Sequence, residues 1–305
     1  MVDNFSRGVD DVDLDRLRMN PNVRIIKLDL LESALEQHLR RDYDYIYHFA
    51  AIIGVANVLR RPYEVLSKNV RMLEAMLDIA KASANLKRFV FPSTSEVYAG
   101  TLQHFKLPIP TPESTALGLT DLHHPRTSYM LSKIYGEALC HQSGSPFVIV
   151  RPHNIYGPRM GLAHVIPELL KKAFDMPKGG KLDVFSFDHS RTFCYIDDAV
   201  QQIHRAAVLP ACDRETLNIG TQAPEITMGE LGKLIVDVVG TTTGRSIELV
   251  GQPATPGSVL RRCPEMSLTT KRTGYVSQID LNTGLHLTFD WYRRRIFDSD
   301  GISAV

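Results

Sequence analysis

A tyrosine and a lysine four residues apart are the pair in this chain best suited to acid–base chemistry. Tyr129 and Lys133 lie in the run Ser128-Tyr129-Met130-Leu131-Ser132-Lys133, which is typical of a helix. Positions four apart on a helix share a face, so the phenol and the ammonium can meet. A nearby cation favours the phenolate and would let a tyrosine, whose reference pKa is about 10, take a proton from a sugar or alcohol hydroxyl. With 11 tyrosines in the chain, the pair could also be a surface contact worth about 0.3–0.5 kcal/mol.

A second polar group strengthens the catalytic interpretation. The string Thr94-Ser95-Glu96 follows the apolar strand predicted at Arg88–Phe91. Ligands of open α/β sheets bind beyond the carboxyl ends of the strands. Because this string lies at such an end, we expect it to contribute catalytic side chains together with Tyr129 and Lys133.

Composition and charge exclude several classes of protein. The chain has 305 residues, is 44% hydrophobic and 23% charged, and carries a formal net charge of +1, which predicts a globular protein with one large core or two coupled domains. The near-neutral charge gives no support for nucleic-acid binding. No apolar run approaches the roughly 20 residues of a membrane span, and the acidic start is not a signal peptide. The four cysteines lack metal-type spacing, which predicts reduced thiols, no metal site and a cytoplasmic location.

The elements that must position these residues follow from hydrophobic periodicity. Short apolar runs alternate with longer helical patterns, which predicts a parallel sheet flanked by helices. The strands are expected at Val23–Leu28, Tyr45–Phe49, Arg88–Phe91, Phe147–Arg151 and, as two short strands, within Val184–Asp197. Helices are expected after Pro62, around Tyr129, near Val165–Phe174 and at Thr227–Val239. The helix after Pro62 carries an apolar stripe at Leu66, Val70, Leu73, Leu77 and Ala80.

Seven motifs occur in order along the chain. They are Val2-Asp3-Asn4, Leu28-Asp29-Leu30, His48-Phe49-Ala50-Ala51, Ser93–Tyr98, Tyr129-x-x-x-Lys133, Arg151–Pro158 and Arg191–Asp198. Together they resemble the extended short-chain dehydrogenase/reductase family, specifically its nucleotide-sugar epimerases, dehydratases and decarboxylases. The likeness covers nearly the whole chain. It implies an α/β fold, a Rossmann-like doubly wound parallel sheet with a smaller C-terminal α/β lobe.

The resemblance also implies two domains that bind different ligands. Residues 1–157 and about 191–207 would form the dinucleotide-binding domain, and about 158–190 and 208–305 the nucleotide-sugar-binding lobe. Similar proteins are homodimers that pair the helix of Tyr129 with the helix Leu66–Ala80, and we expect the same here.

By this likeness the cofactor is NAD. The implied cofactor-binding residues are Asp3, Asn4, Asp29, Leu30, Ala50, Ala51, Tyr129 and Lys133. Asp3 would accept hydrogen bonds from the adenosine ribose, and its carboxylate would repel the 2′-phosphate of NADP. Lys133 would hold the nicotinamide ribose.

Three further residues match positions that hold the diphosphate or neighbouring sugar of a nucleotide-sugar substrate. They are Asn154, Arg191 and Arg262. The two parallel N–H groups of a guanidinium match the spacing of phosphate oxygens, so a diphosphate would explain the presence of two arginines. The alternative for both arginines is a surface or interdomain ion pair.

One departure from the family pattern concerns the cofactor. The family opens with a strand and a Gly-x-x-Gly-x-x-Gly phosphate loop, and no such motif occurs in this sequence. Met1 instead stands where the second strand should begin, so about 25–30 residues, one strand and one helix, are expected to be missing. In the strand order 3-2-1-4-5-6 the missing strand would separate the strands of Asp3 and His48. We therefore expect unpaired strand edges and poor NAD binding.

The string Thr94–Tyr98 favours one reaction within the family. It looks most like that of decarboxylases of the UDP-xylose synthase type, so we predict a UDP-glucuronate decarboxylase, with NDP-sugar 4-epimerase or 4,6-dehydratase as alternatives. A non-catalytic dinucleotide-fold binding protein is the alternative from another class, since the missing loop permits it. A serine hydrolase is not favoured, because the sequence has no Gly-x-Ser-x-Gly elbow.

Overall fold

In the computed structural model, residues 1–32, 35–255 and 257–298 are described. They form two compact units. The first contains Met1–His104, Leu117–Ile149 and Asp213–Glu215, and the second contains Phe105–Ala116, Val150–Cys212 and the residues from Thr216 onward. The functional domain boundaries expected from the sequence remain a prediction.

The first unit alternates strands and helices. Its strands are β1 (Val2–Asp3), β2 (Ile26–Lys27), β3 (Tyr45–Tyr47), β4 (Arg88–Pro92) and β5 (Phe147–Pro152), the last of which runs on into the second unit. Its α-helices are α1 (Val12–Arg18), α2 (Val55–Arg60), α3 (Pro62–Ala82), α4 (Ala99–His104) and α5 (Thr127–Gln142). Short 3₁₀ helices cover Leu35–Gln37 and Ser95–Tyr98.

The second unit has shorter strands. They are β6 (Ile155–Tyr156), β7 (Gly180–Val184), β8 (Ser190–Arg191), β9 (Cys194–Tyr195), β10 (Thr216–Ile219), β11 (Ile226–Thr227), β12 (Ile247–Gly251) and β13 (Arg261–Arg262). Its α-helices are α6 (Val165–Asp175), α7 (Ile196–Val208), α8 (Met228–Thr243), α9 (Ser267–Thr273) and α10 (Leu281–Tyr292). A 3₁₀ helix covers Pro210–Cys212, and a π-helical turn covers Arg293–Phe297.

The main sheet has the strand order β10-β5-β4-β3. β3 and β4 are parallel, with Ile46 opposite Phe89, and β4 is buried along its whole length. A strand buried on both faces is typical of a parallel sheet covered by helices. The predicted Rossmann-like α/β fold is therefore confirmed.

β1 and β2 form a separate parallel pair in which Asp3 lies opposite Lys27. Among the described residues, β1 has no ladder with β3, and each of these strands has one sheet neighbour. The unpaired edges expected from the sequence are therefore present. Tyr47 on β3 and Phe49 just after it are exposed at this edge.

The helix α3 begins at Pro62, where the fixed φ of proline suits the first helical position. Its predicted apolar stripe is partly right, because Leu73, Leu77 and Ala80 are buried whereas Leu66 and Val70 are only half-buried. α3 packs against α5. No helix in the described part of the chain is long and apolar enough to cross a membrane.

In the second unit, a parallel pair β7–β12 and a three-stranded sheet with the order β11-β8-β13 lie beside the helices. The predicted helix after Pro224 is α8. Its cap is reciprocal, since the Thr227 hydroxyl accepts from the Glu230 N–H and the Glu230 carboxylate accepts from the Thr227 N–H. Leu231 and Ile235 bury the inner face of α8 in the core of this unit.

The packing of α5 against β4 and α3 depends on a glycine, which yields the first prediction. A Cβ at Gly136 would lie 2.4 Å from Phe91 Cζ and 2.9 Å from Leu73 Cδ2. We expect Gly136→Ala to lower the free energy of unfolding, because overpacking costs about 1–3 kcal/mol and the better helix propensity of alanine returns only about 1. Urea unfolding measures this, with Gln142→Ala at the exposed end of α5 as a control expected within about 0.5 kcal/mol of wild type. A Gly136→Ala protein more stable than wild type would contradict this packing.

Candidate active site

Thr94 is positioned by the end of β4. The strand is buried through Pro92, and Thr94 then caps the 3₁₀ helix Ser95–Tyr98 by accepting a hydrogen bond from the Glu96 N–H at 3.3 Å. This turn leaves the Glu96 side chain exposed and Ser95 buried. The polar string predicted from the sequence is therefore at the end of a central strand.

Tyr129 lies in the first turn of α5 and is half-buried. The Thr94 hydroxyl lies close enough to its phenol to lower the pKa of Tyr129. Glu96 and Arg7 are close enough to act electrostatically on the same phenol. The structure thus brings together Thr94, Glu96 and Tyr129, from the end of β4 and the start of α5.

The acidity predicted for this phenol is wrong in the structure. Burial, and then the negative charge of Glu96, raise the pKa of Tyr129 to about 12, against smaller lowering by the nearby Thr94 hydroxyl and the charge of Arg7. The ammonium of Lys133 does not acidify the phenol here. Its Nζ lies 5.7 Å from the centre of the Tyr129 ring, over the ring rather than in contact with the oxygen.

Lys133 is not a surface residue. It is only 6% exposed, donates a hydrogen bond to the Pro92 carbonyl at 2.7 Å and lies 5.0 Å from the centre of the Phe91 ring. Burial lowers the pKa of Lys133 to about 8. Among the described residues, no carboxylate lies within salt-bridge distance of this ammonium. A buried cation with a shifted pKa marks a candidate functional site.

His48 is a residue of this site that sequence reasoning missed. It follows β3, is 5% exposed and stacks on Phe89 and Phe91. Burial, and then the charge of Lys133, lower the pKa of His48 to about 3. The ring is therefore neutral at ordinary pH. The only sequence signal was its place in the motif His48-Phe49-Ala50-Ala51.

The candidate residues for the adenosine end of the cofactor meet at the ends of β1 and β2. The Asp3 carboxylate accepts a hydrogen bond from the Phe5 N–H at 2.7 Å, and Asn4 Nδ2 donates to Asp29 Oδ2 at 3.0 Å. Leu30 differs from its neighbours because it is buried in the hydrophobic core. Ala50 and Ala51 are half-buried just after β3.

These features fit the two ribose ends of NAD. A carboxylate stands at the end of β1, where an adenosine ribose is bound in folds of this kind. A buried ammonium without a carboxylate partner stands at the end of β4, where hydroxyl groups would satisfy its remaining donors. The sequence supplies no glycine loop for the pyrophosphate between them.

The two arginines predicted to bind a diphosphate lie side by side in the second unit. Arg262 on β13 is the register partner of Arg191 on β8. Arg191 donates to the carbonyl groups of Ser190, at 2.7 Å, and Val259. Burial, and then the charge of Arg262, lower the pKa of Arg191 to about 10. Two adjacent cations repel each other unless an anion lies between them, so this arrangement is typical of an anion site.

Asn154 is also in the second unit. Its backbone is in the left-handed region, with φ of 43°, which asparagine tolerates better than most residues. Its Nδ2 donates to the Thr192 carbonyl at 2.9 Å, next to Arg191 in the chain. Across the described ranges, no cluster of His, Cys, Asp and Glu could hold a metal ion.

The chain is similar in sequence and in fold to proteins of one known family. Residues 3–220 match the sequence model of the NAD dependent epimerase/dehydratase family. The chain is 27% identical to UDP-N-acetyl-alpha-D-glucosaminuronate decarboxylase of Bacillus cytotoxicus, over 96% of this chain and 89% of that protein. It is 28% identical to UDP-glucuronic acid decarboxylase 5 of Arabidopsis thaliana, over 97% of this chain and 82% of that protein. The crystal structure of UDP-glucose 4-epimerase from Thermotoga maritima, with UDP-glucose, is similar with a TM-score of 0.78 and 25% identity, over 96% of this chain and 90% of that one.

The buried ammonium yields a prediction about stability. Because the pKa of Lys133 is lowered from 10.5 to about 8 in the folded chain, the unfolded chain binds more protons between these values and stability rises with pH there. Below pH about 8 both states are protonated and folding bears the full cost of burying the charge. We therefore expect Lys133→Met to raise the free energy of unfolding by about 1–3 kcal/mol at pH 7, with the gain shrinking towards pH 10.

Urea unfolding of the wild-type and variant proteins across this range measures the effect. Lys106→Met, at an exposed lysine, is the matched control and should change stability little at any pH. A destabilised Lys133→Met protein at pH 7, or a gain that does not vary with pH, would contradict the cost assigned to the buried charge.

Proposed function

This chain belongs to the NAD dependent epimerase/dehydratase family, and we propose that it is an NAD-dependent enzyme that oxidises UDP-glucuronate at C4 and releases its carboxyl group as carbon dioxide. One observation carries the proposal. The Thr94 hydroxyl and the Glu96 carboxylate, both in the turn after β4, lie close enough to the Tyr129 phenol to act on its pKa, Thr94 lowering it and Glu96 raising it. This arrangement supplies a proton-transfer pair and a nearby carboxylate. The decarboxylases of Bacillus cytotoxicus and Arabidopsis thaliana, similar over most of their length, support the same reaction.

In this proposal the residues of the first unit hold the cofactor and move one proton. Asp3, Asn4 and Asp29 bind the adenosine end, Ala50 and Ala51 flank the dinucleotide, and Lys133 binds the nicotinamide ribose. When bound, oxidised NAD supplies a hydride acceptor and a positive charge. Tyr129 takes the proton of the sugar 4-hydroxyl, and Thr94 donates a hydrogen bond to the same oxygen. Because burial raises the pKa of Tyr129 to about 12, the phenol is protonated in the free chain, and proton abstraction requires added positive charge.

The ketone at C4 determines the next step. It turns the uronic acid into a β-keto acid, whose carbon–carbon bond to the carboxyl group breaks as carbon dioxide leaves and an enolate forms. Glu96, which is exposed to solvent, then relays a proton from water to C5. Tyr129 returns its proton to the oxygen at C4 as the ketone is reduced by the hydride that the bound cofactor would supply. General acid–base assistance of this kind contributes about 10²–10⁴-fold. Arg191, Arg262 and Asn154 bind the diphosphate.

A 4-epimerase is the second candidate, favoured by the exposure of Glu96. Epimerisation needs Thr94 and Tyr129 but no carboxylate, and the similar enzyme from Thermotoga maritima is a UDP-glucose 4-epimerase. A 4,6-dehydratase would use Glu96 to remove the C5 proton. The carboxylate beside the phenol favours the decarboxylase over the epimerase.

We also propose a cytoplasmic homodimer in which α3 and α5 of two copies pack together. These two helices already pack against each other within the chain. Tyr63 on α3 and Tyr135 on α5 are both exposed. Exposed aromatic residues on a helix pair suit a self-complementary interface.

Substrate assays with added NAD test the reaction. The chain is incubated with UDP-glucuronate, UDP-glucose and UDP-N-acetylglucosamine, and we expect carbon dioxide and UDP-xylose from the first. Tyr129→Phe should lower turnover at least 10²-fold because the proton acceptor is lost. Glu96→Gln should lower decarboxylation to a similar extent while sparing any exchange at C4. Glu74→Gln, at an exposed carboxylate of α3, is the control expected to match wild type.

Two outcomes would contradict the assignment as a decarboxylase. Interconversion of epimers at C4 without loss of carbon would assign the chain as a 4-epimerase. NAD binding without turnover of any of the three substrates would favour the non-catalytic binding protein.

The paired arginines give a separate prediction about binding. Arg191→Met should weaken UDP binding about 10- to 100-fold, because a charge-assisted hydrogen bond to phosphate is worth about 1.5–3 kcal/mol. Isothermal titration with UDP measures the change. Arg261→Met is the matched control, since this neighbouring arginine is exposed and paired with Glu225 at 2.7 Å. Equal weakening by both variants would argue against a specific phosphate site at Arg191.

A further inference from the structure

Two residues of α5, one helical turn apart, hold two consecutive residues at the end of β4. Lys133 donates to the Pro92 carbonyl at 2.7 Å, and the Ser93 hydroxyl donates to Glu137 Oε1 at 2.5 Å. Ser93, Lys133 and Glu137 are 4%, 6% and 5% exposed, so both hydrogen bonds are shielded from water. The next residue in the chain is Thr94. The point at which Thr94 leaves the strand is therefore fixed by α5.

Glu137 is a buried carboxylate on the same helix face as a buried ammonium. Positions four apart on a helix are neighbours, and an isolated buried charge of either sign is costly. Burial lowers the pKa of Lys133, whereas Cys140 and Glu137 raise it. The charge of Glu137 therefore offsets part of the cost of burying Lys133, although the two side chains are not in salt-bridge contact.

Of the other groups around Lys133, Cys140 also raises its pKa, and by more than Glu137 does. Tyr129 and Cys140 lie on α5 itself, and burial raises the pKa of each to about 12, so both are neutral near pH 7. His48, which follows β3, is neutral as well and feels the charge of Lys133. β4 contributes the Phe91 ring and the Pro92 carbonyl, and α3 packs on this part of α5 through the apolar Leu73.

We propose that Glu137 is a positioning residue of the reaction: it anchors Ser93, and with it the strand end that presents Thr94 to Tyr129, and it supplies the negative charge that keeps Lys133 an ammonium. The contribution to catalysis rests on the proposed function. The electrostatic part concerns only the folded chain and can be measured without substrate or cofactor.

Two substitutions separate the hydrogen bond from the charge. Glu137→Gln keeps an acceptor for Ser93 and removes the charge, whereas Ser93→Ala removes the hydrogen bond and keeps the charge. The pKa of Lys133 is read by NMR on protein labelled with ¹³C at lysine Cε, with the Lys133→Met spectrum to assign the signal. We expect Glu137→Gln to lower this pKa by about one unit or more, and Ser93→Ala to leave it unchanged.

If the chain turns over its substrate, steady-state kinetics of the two variants give a second measurement. Both variants should lower kcat with little change in KM, because neither side chain is assigned to the substrate. The alkaline limb of the pH profile should move to lower pH in Glu137→Gln alone. A merely structural residue would not separate the two variants in this way.

The outcomes are distinct from those of the proposed function. A chain without activity that still shows the NMR shift keeps the electrostatic role of Glu137 and loses only the reaction. An unchanged Lys133 pKa in a folded Glu137→Gln protein overturns the proposal. If Glu137→Gln does not fold, the double variant with Lys133→Met is compared with Lys133→Met alone: a double variant about as stable as Lys133→Met supports the charge coupling, and a double variant that fails to fold assigns Glu137 a structural role only.

Discussion

The candidate site depends on an ammonium buried where α5 crosses the end of β4. Lys133 lies among the Phe91 ring, the Pro92 carbonyl and the neutral ring of His48, so its charge is held at a cost to folding. That cost is tolerated because the same packing brings the preceding turn of α5, which carries Tyr129, to the end of β4. There the Thr94 hydroxyl lies close to the Tyr129 phenol. An apolar side chain such as methionine would make the core more stable at this position. The presence of a charged group there instead indicates that the residue has a function.

Burial decides the acid–base properties of the site more than pairing does. It raises the pKa of Tyr129 from 10.0 to about 12 and lowers that of Lys133 from 10.5 to about 8, so burial drives apart two pKa values that are nearly equal in water. The free chain therefore keeps the phenol protonated, and the positive charge of a bound cofactor is needed to make it a base. Cys140 and then Glu137 act in the opposite sense and raise the pKa of Lys133, which offsets part of the lowering by burial.

The sequence predicted the parts of the site that follow from local pattern. The helix of Tyr129, the buried strand before Thr94 and the capped helix after Pro224 all follow from periodicity and capping, which are properties of short segments. The direction of the Tyr129 pKa did not follow, because the depth of burial depends on how α3, α5 and β4 pack. Arg191 and Arg262 are far apart in the chain, so their pairing on β8 and β13 was implied by the family resemblance and not by spacing. The predicted strand Val23–Leu28 shortened to β2 (Ile26–Lys27), at the sheet that lacks a ladder to β3.

The central claim is that Tyr129 accepts the proton of a sugar hydroxyl while the hydride of the same carbon passes to NAD. Stopped-flow absorbance of reduced cofactor, after the chain is mixed with NAD and UDP-glucuronate, tests this claim most directly. We predict transient formation of reduced cofactor that is slower when the sugar carries deuterium at C4, and its disappearance in Tyr129→Phe. Release of carbon dioxide with no reduced cofactor and no isotope effect, or at an unchanged rate in Tyr129→Phe, would contradict the account.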